Sequence, residues 1–386
     1  MPNRREFLVG AAAAAAATSA SQLLAAQNGP QLSNTNVGGN NQGIISELPE
    51  NPPLASKLFP PEHKFGVGGT QLGNIFKVTP DEEAENMLEA CWENGVRYFD
   101  TSPFYGMGLS ERRLGHFLKG KPPQEYLLSS KIGRLLKADA SVDSQGNWKG
   151  DLNFSYHFDY TAAGTRRSIE DSLQRLGVPK IDIVYIHDLT PGMLGKDWRE
   201  YLETARKGAM PELSRMREEG IIGHWGMGVN NIETCLAAME SADPDVMLQA
   251  TKYNLMDHEE VLNRLFPKCR ENDVSVIVGA PLGAGFLAGV NRWLYSDGIP
   301  DGYWEKRDRI AQIAHQHGID LRTAALQFTA APDIVAATIP GARNAQQARE
   351  NRTSMNVRIP AEFWQQLKQE GLIAQDAPTP GKPREG

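Results

Sequence analysis

The sequence predicts an α/β fold, a (β/α)8 barrel of the TIM type, on three observations. Short apolar runs without polar alternation recur from residue 65 to 338, as strands buried on both faces require. Each run is followed by an amphipathic stretch, and strand–helix repetition demands parallel strands. Eight such units in roughly 300 residues suit a closed barrel better than an open sheet. In order, the units pair 65–67 with 82–94, 96–99 with 110–119, 126–131 with 165–176, and 181–186 with 211–219. They continue as 223–227 with 232–240, 246–248 with 259–271, 274–278 with 305–317, and 334–338 with 345–353. The strand runs are β-branched or apolar, and helix-period patterning marks the partners. Between the third strand and its helix, 135–160 is longer than an ordinary connection and carries Trp148, Phe154, Tyr156 and His157 among Gly, Asp and Asn. Long structureless connections are uncommon unless functional, so this segment is either a substrate wall or a variable surface loop.

The chain has 386 residues, 40% of them hydrophobic, enough for a sizeable core. A net charge of −7 offers no general electrostatic attraction for nucleic acid or an anionic membrane, and neither is expected as a partner. Cys91, Cys235 and Cys269 are too few and too scattered for a disulfide framework and read as buried small hydrophobes. No His, Cys or carboxylate grouping has metal-ligand spacing, so no metal is expected and a metal-dependent hydrolase is a weak reading.

The N-terminus is organised differently. Arg4-Arg5-Glu6-Phe7-Leu8-Val9-Gly10 precedes an alanine run over 11–17 and small residues through Ala20. This looks like a twin-arginine export signal, too short in its apolar part for a membrane span of about 20 residues. The expected organisation is a signal over 1–26, a flexible linker over 27–60, the barrel over 61–375 and a tail over 376–386. The implied partner is the twin-arginine export machinery, with no stable membrane anchor, and the implied destination is the periplasm.

In such barrels the chemistry collects at the carboxyl ends of the strands. Asp100 ends the second run and Tyr105 sits in the loop behind it, Lys131 ends the third run, and His187 ends the fourth. Each alone has an ordinary reading: a packing tyrosine, a solvated lysine, a hydrogen-bonded core histidine. Together they compose a proton-transfer set. An ammonium beside a carboxylate remains charged, a cation beside a phenol stabilises the phenolate, and a neutral imidazole orients a reacting oxygen.

With those four residues the chain resembles the aldo-keto reductases, whose Asp, Tyr, Lys and His tetrad matches Asp100, Tyr105, Lys131 and His187. The likeness covers about 65–372. It is closest in kind to the sugar-oxidising branch of D-threo-aldose 1-dehydrogenases (L-fucose dehydrogenases) and to pyridoxal 4-dehydrogenases. The carrying motifs are Gly68-Gly69-Thr70-Gln71-Leu72-Gly73, the block from Tyr105 to Gly115, the block from Ser168 to Gly177, Ile186-His187-Asp188 and Gly228-Val229-Asn230-Asn231.

The resemblance implies a small-molecule sugar or aldehyde substrate and NAD or NADP as cofactor. The nucleotide would lie extended across the barrel mouth, and no Rossmann glycine fingerprint follows an early strand. By the same likeness, Gly69 and Thr70 fall in the cofactor site, and Asn230, Asn231 and Gln249 match the nicotinamide carboxamide contacts. Leu282, Gly283 and Gly285 match the pyrophosphate loop, where glycine admits backbone N–H groups to anionic oxygens. Gly341, Arg343, Gln347 and Asn351 match the adenosine end. Two departures stand out: Gly279 replaces an aromatic ring stacked on the nicotinamide, and Gly341 and Gln347 replace the usual basic residues. Arg343 alone remains to pair with a 2′-phosphate, which leaves both cofactors open. Trp148, Phe154 and Tyr253 are the candidate substrate contacts. Oxidation of an aldose at C1 is the implied reaction. Aldehyde or ketone reduction and a non-catalytic exported barrel that binds sugar or nucleotide are the alternatives.

Overall fold

A computed structural model describes residues 64–150, 152–296 and 298–381. The expected signal (1–26) and linker (27–60) lie outside the described residues. Eight strands form one parallel sheet: β1 (Val67–Gly68), β2 (Tyr98–Asp100), β3 (Leu127–Ile132), β6 (Ile181–His187), β7 (Ile222–Val229), β8 (Val246–Ala250), β9 (Ser275–Gly279) and β10 (Val335–Ile339). Each strand pairs with the next in that order. Parallel bridges from Phe65 to Thr338 and from Gly68 to Gly341 join the last strand to the first. The (β/α)8 barrel expected from the sequence is therefore the fold.

The barrel has two cores because successive residues of a strand face opposite ways. Tyr98, Ile183, Tyr185, Val246, Leu248, Ile277, Ala337 and Ile339 fill the interior. Phe99, Val184, Ile186, Met247, Val276 and Val278 face outward into a second core under the helices. Close packing of the strands leaves no room for a side chain at Gly226, where a Cβ would stand 1.6 Å from the Val246 carbonyl oxygen.

The helices that follow the strands are α1 (Asp81–Glu93), α2 (Leu109–Leu118), α3 (Ala162–Leu176), α4 (Trp198–Lys207), α5 (Ala209–Glu218), α6 (Glu233–Ser241), α7 (Phe266–Glu271), α8 (Tyr303–Gln316), α9 (Leu321–Ala330), α10 (Ala345–Ser354) and α11 (Ala361–Gln369). Thr161 opens α3 by accepting the Gly164 N–H at 3.0 Å, and Gly177, at φ 67°, closes it in the left-handed region. Helices α4, α9 and α11 are additions to the eight expected units. For α9 the reason is visible: Thr323 through Ala330 are all buried, so no amphipathic period marks it. Within the expected tail, Ala377 is buried against the main core.

The segment 135–160 also differs from a structureless connection. Its ends form an antiparallel hairpin, β4 (Arg134–Ala138) with β5 (Phe154–Phe158), in register from Arg134–Phe158 to Ala138–Phe154. Phe154, Tyr156 and Phe158 occupy alternate positions and so share one face, a period-2 signal that was present in the sequence.

Candidate active site

Strand periodicity explains why the polar residues converge. Tyr98 and Asp100 on β2, Ser129 and Lys131 on β3, and Ile183, Tyr185 and His187 on β6 lie two residues apart, in phase with the barrel interior. The last inward residue of each strand emerges at the carboxyl-end mouth. There the Lys131 Nζ donates to both Asp100 oxygens, at 2.8 and 2.7 Å, and to the Thr101 carbonyl at 2.8 Å. The Ser129 hydroxyl donates to Asp100 Oδ1 at 2.7 Å. Both members of the pair are 2% exposed. Burial pushes the Asp100 carboxyl up and the Lys131 ammonium down, while their mutual contact works against both shifts.

Tyr105 is set by a backbone crossing. Gly73 and Gly106 approach so closely that a Cβ on either would stand 2.5 Å from the other's segment, and Gly106 is left-handed at φ 64°. The Tyr105 ring packs edge-on to His187 with centroids 5.8 Å apart and tilts against Trp148 at 5.6 Å. Lys131 Nζ lies 4.5 Å from the Tyr105 ring centroid. This corrects one expectation. The three ammonium protons are committed to Asp100 and Thr101, and burial, with Asp100, Tyr295 and Asp188 adding to it, pushes the Tyr105 hydroxyl well above its ordinary value. Arg134 opposes that shift without reversing it, so the Tyr105 hydroxyl is held protonated.

His187 is held well below its ordinary pKa by burial first and then by Arg134 and Lys131, so its imidazole is neutral. Its Nδ1 lies 3.2 Å from the Ser102 hydroxyl, and Tyr160 donates to its backbone carbonyl at 2.9 Å. Asp188, left-handed at φ 49°, turns the chain so that its carboxylate also reaches the mouth, 3.5 Å from His187 Nε2. Arg134 Nη2 fixes that carboxylate at 2.9 Å. The Arg134 guanidinium itself lies 4.0 Å from the ring centre of Phe104 and within 5.4 Å of those of Tyr156 and Phe158. Its Nε and Nη1 are buried without hydrogen-bond partners, and those aromatic faces add to the Asp188 contact in stabilising the charge.

Tyr105, Lys131 and His187 open onto a cavity of about 340 Å³. Its walls include Phe104, Trp148, Tyr156 and Leu248 on the apolar side and Gln145, Asn147, Asp188 and Asn230 on the polar side. The loop between β4 and β5 brings Trp148 there, anchored by the Phe76 N–H to the Asn147 carbonyl at 2.7 Å. Phe154 is not part of the lining. It sits farther along β5 beneath Arg112, and Tyr156 is the residue of that face that reaches the cavity. Tyr253 is also not a substrate contact: it is fully buried, stacked on Phe328 at 5.4 Å and against Phe266 at 4.8 Å. An aromatic two positions after a lining residue reads alike from sequence whether it turns into the mouth or the core.

Residues 64–370 match the model of the aldo/keto reductase family. The chain belongs to that family. It is 33% identical over 326 residues to a D-threo-aldose 1-dehydrogenase from a Pseudomonas species, which spans 82% of this chain and 95% of the relative. It is likewise 33% identical over 329 residues to the pyridoxal 4-dehydrogenase of Microbacterium luteolum, covering 80% and 94%. The fold also matches a Klebsiella pneumoniae aldo-keto reductase solved in complex with NADPH, with a TM-score of 0.57 and 20% identity over 83% of this chain and 95% of that one. This aldo/keto reductase is an NAD(P)-dependent oxidoreductase.

The residues present fit the nicotinamide cofactor of the family. Asn230 lines the cavity. Beside it, Asn231 Nδ2 and Gln249 Nε2 are buried amide donors without hydrogen-bond partners. Their oxygens are engaged by Thr234 Oγ1 at 2.9 Å and Cys235 Sγ at 3.9 Å. Buried donors left open are uncommon, and a carboxamide oxygen is a matching acceptor. Gly69 lies tight against β2, where a Cβ would stand 2.6 Å from the Asp100 carbonyl oxygen, and Thr70 lines the cavity. After β9, Gly283, Ala284 and Gly285 are all left-handed, at φ 58°, 56° and 105°, which bends the loop behind Leu282 sharply. The atoms nearest a Cβ built on Gly279 belong to Leu248 and Ala250, both cavity residues.

At the expected adenosine end Arg343 is turned inward. Its Nη2 donates to the Ile75 carbonyl at 2.9 Å and its Nη1 to Thr79 Oγ1 at 3.2 Å. Gln347 Oε1 accepts the Arg343 N–H at 2.9 Å, and Asn351 donates to the Gly341 carbonyl at 3.3 Å. Gln347 and Asn351 brace their own loop, and Arg343 ties it to the segment after β1.

Arg134, Asp188 and Ser102 are the site residues that sequence reasoning did not single out. Ser102 stood between Asp100 and Tyr105, and Asp188 followed His187. Arg134 carried no such signal, because it opens β4 and meets the alternating aromatics of β5 only in the folded hairpin.

Proposed function

We propose that this aldo/keto reductase oxidises an aldose at C1, with Tyr105 as proton carrier, His187 orienting the reacting oxygen, and Lys131 with Asp100 supporting the tyrosine. The observation that carries the reading is the cavity itself. Tyr105 and His187 both line it, the rings of Phe104, Trp148 and Tyr156 can cover the C–H face of a sugar, and Gln145, Asn147 and Asp188 offer partners for its hydroxyls. The likeness to a D-threo-aldose 1-dehydrogenase supports the same substrate class. In oxidation, the anomeric hydroxyl loses its proton to Tyr105 and the anomeric C–H leaves as hydride, so the aldose becomes a lactone. The oxidised nicotinamide, when bound, supplies the hydride acceptor and a positive charge that favours the Tyr105 phenolate.

The raised Tyr105 pKa favours a second reading, carbonyl reduction with Tyr105 as acid. The cofactor preferred is NAD, because the Arg343 guanidinium is directed at the Ile75–Thr79 loop and Gly341 and Gln347 carry no charge. Steady-state rates on a panel of aldoses with NAD and NADP, and of carbonyls with NADH and NADPH, test this. The expected result is aldose oxidation with kcat/KM at least about tenfold higher for NAD, the loss of one charge-assisted phosphate contact. Equal values for the two cofactors overturn the preference, and turnover of carbonyls alone selects the second reading.

Export to the periplasm by the twin-arginine route is part of the proposal and rests on Arg4-Arg5 before the alanine run. Fractionated cells should hold a shortened protein outside the cytoplasm, and an Arg4→Lys, Arg5→Lys variant should stay inside at full length. Full-length wild type confined to the cytoplasm removes this part.

A further inference from the structure

We propose that Ser102 is a positioning residue that locks the His187 imidazole in the tautomer carrying its proton on Nε2. The argument is an accounting of donors and acceptors around one buried hydroxyl. Ser102 is fully buried at the end of β2. Its Oγ accepts the Phe104 N–H at 3.1 Å and lies 3.2 Å from His187 Nδ1, and among the described residues it has no other partner. If Nδ1 carried the proton, the Ser102 hydroxyl would accept twice and its own proton would point at nothing. A buried donor left unmade costs about 1–3 kcal/mol. If Ser102 donates to Nδ1, every group is satisfied and the imidazole proton sits on Nε2.

A second contact selects the same state. Asp188 Oδ2 lies 3.5 Å from His187 Nε2 and is fixed there by Arg134. A bare Nε2 lone pair would face that carboxylate oxygen, whereas an Nε2–H is attracted to it. The protonated imidazole is disfavoured by burial first, with the Arg134 and Lys131 charges adding to it. The ring is thus held from both sides in one neutral form, with its N–H on the side of the Asp188 carboxylate. Only the consequence for turnover rests on the proposed function; the tautomer does not.

The test is two-bond 1H–15N correlation spectroscopy on protein labelled at histidine nitrogen. The His187 signals among the eight histidines are assigned by their loss in His187→Asn. Wild type is expected to show a proton-free Nδ1 and a protonated Nε2. Ser102→Ala should give a mixture of tautomers and lower kcat about 5- to 10-fold, the effect of losing one hydrogen bond, with the cofactor dissociation constant unchanged. Ser102→Thr, which keeps the hydroxyl, should restore both signature and rate. A protonated Nδ1 in wild type, or an unchanged tautomer in Ser102→Ala, overturns the assignment. The wild-type spectrum needs no folded variant and no substrate, so the expected tautomer without aldose turnover counts against the proposed function alone.

Discussion

Tyr105→Phe is expected to lower kcat by about 10²–10⁴-fold in either direction, the usual contribution of a general acid or base. The substitution removes only a hydroxyl that has no hydrogen-bond partner among the described residues, and the ring keeps its contacts with His187 and Trp148. Stability should therefore change by less than about 1 kcal/mol, and cofactor affinity by less than about twofold. The pH dependence provides a second readout. Burial holds the Tyr105 hydroxyl protonated through neutral pH, so reduction finds its acid in place and its rate is flat there. Oxidation needs the phenolate, so its rate should rise by about tenfold per pH unit until the hydroxyl ionises. Both the rate and the slope should vanish in Tyr105→Phe. Stopped-flow absorbance of the reduced nicotinamide measures them, and a variant within tenfold of wild type would falsify the role given to Tyr105.

Lys131→Met should be the most destabilising single change at the site, by about 3–5 kcal/mol, because it strands the Asp100 carboxylate at 2% exposure. The magnitude comes from the uncompensated charge more than from the lost contact. Asp100 must then bind a proton in the folded state, with its pKa raised above the unfolded value. A raised carboxyl stabilises the fold below the unfolded pKa and loses that contribution as pH rises, so the deficit should grow from about pH 4 upward. The double variant Asp100→Asn, Lys131→Met removes both charges and should recover most of the stability without recovering turnover. Urea unfolding of the three proteins gives the comparison. A Lys131→Met protein within about 1 kcal/mol of wild type, or a double variant no more stable than the single, contradicts the account.

The fold was legible because its signals are short-range. Strands buried on both faces read as unbroken apolar runs, and a two-residue period carries Asp100, Lys131 and His187 to the same end of the barrel interior. Helix α9 escaped because a helix buried all round has no polar face to mark its period. The β4–β5 hairpin escaped because Gly, Asp and Asn between its strands resemble a loop, although Phe154, Tyr156 and Phe158 alternate. Tyr253 follows a predicted strand end and Trp148 sits in the long connection, and only packing sends one into the core and the other to the mouth.

The sequence by itself determined the barrel, the order of its strands and which residues share the carboxyl-end mouth, since strand parity and hydrophobic period are set within a few neighbouring residues. The tertiary structure alone decided how those residues are wired. Arg134 reaches Asp188 across 54 positions, Ser102 reaches His187 across 85, and Arg343 turns to Ile75 across 268. Such contacts depend on where the packed core leaves each side chain room and a partner. For that reason the state of Tyr105, the tautomer of His187 and the engagement of Arg343 emerge only when the barrel has closed.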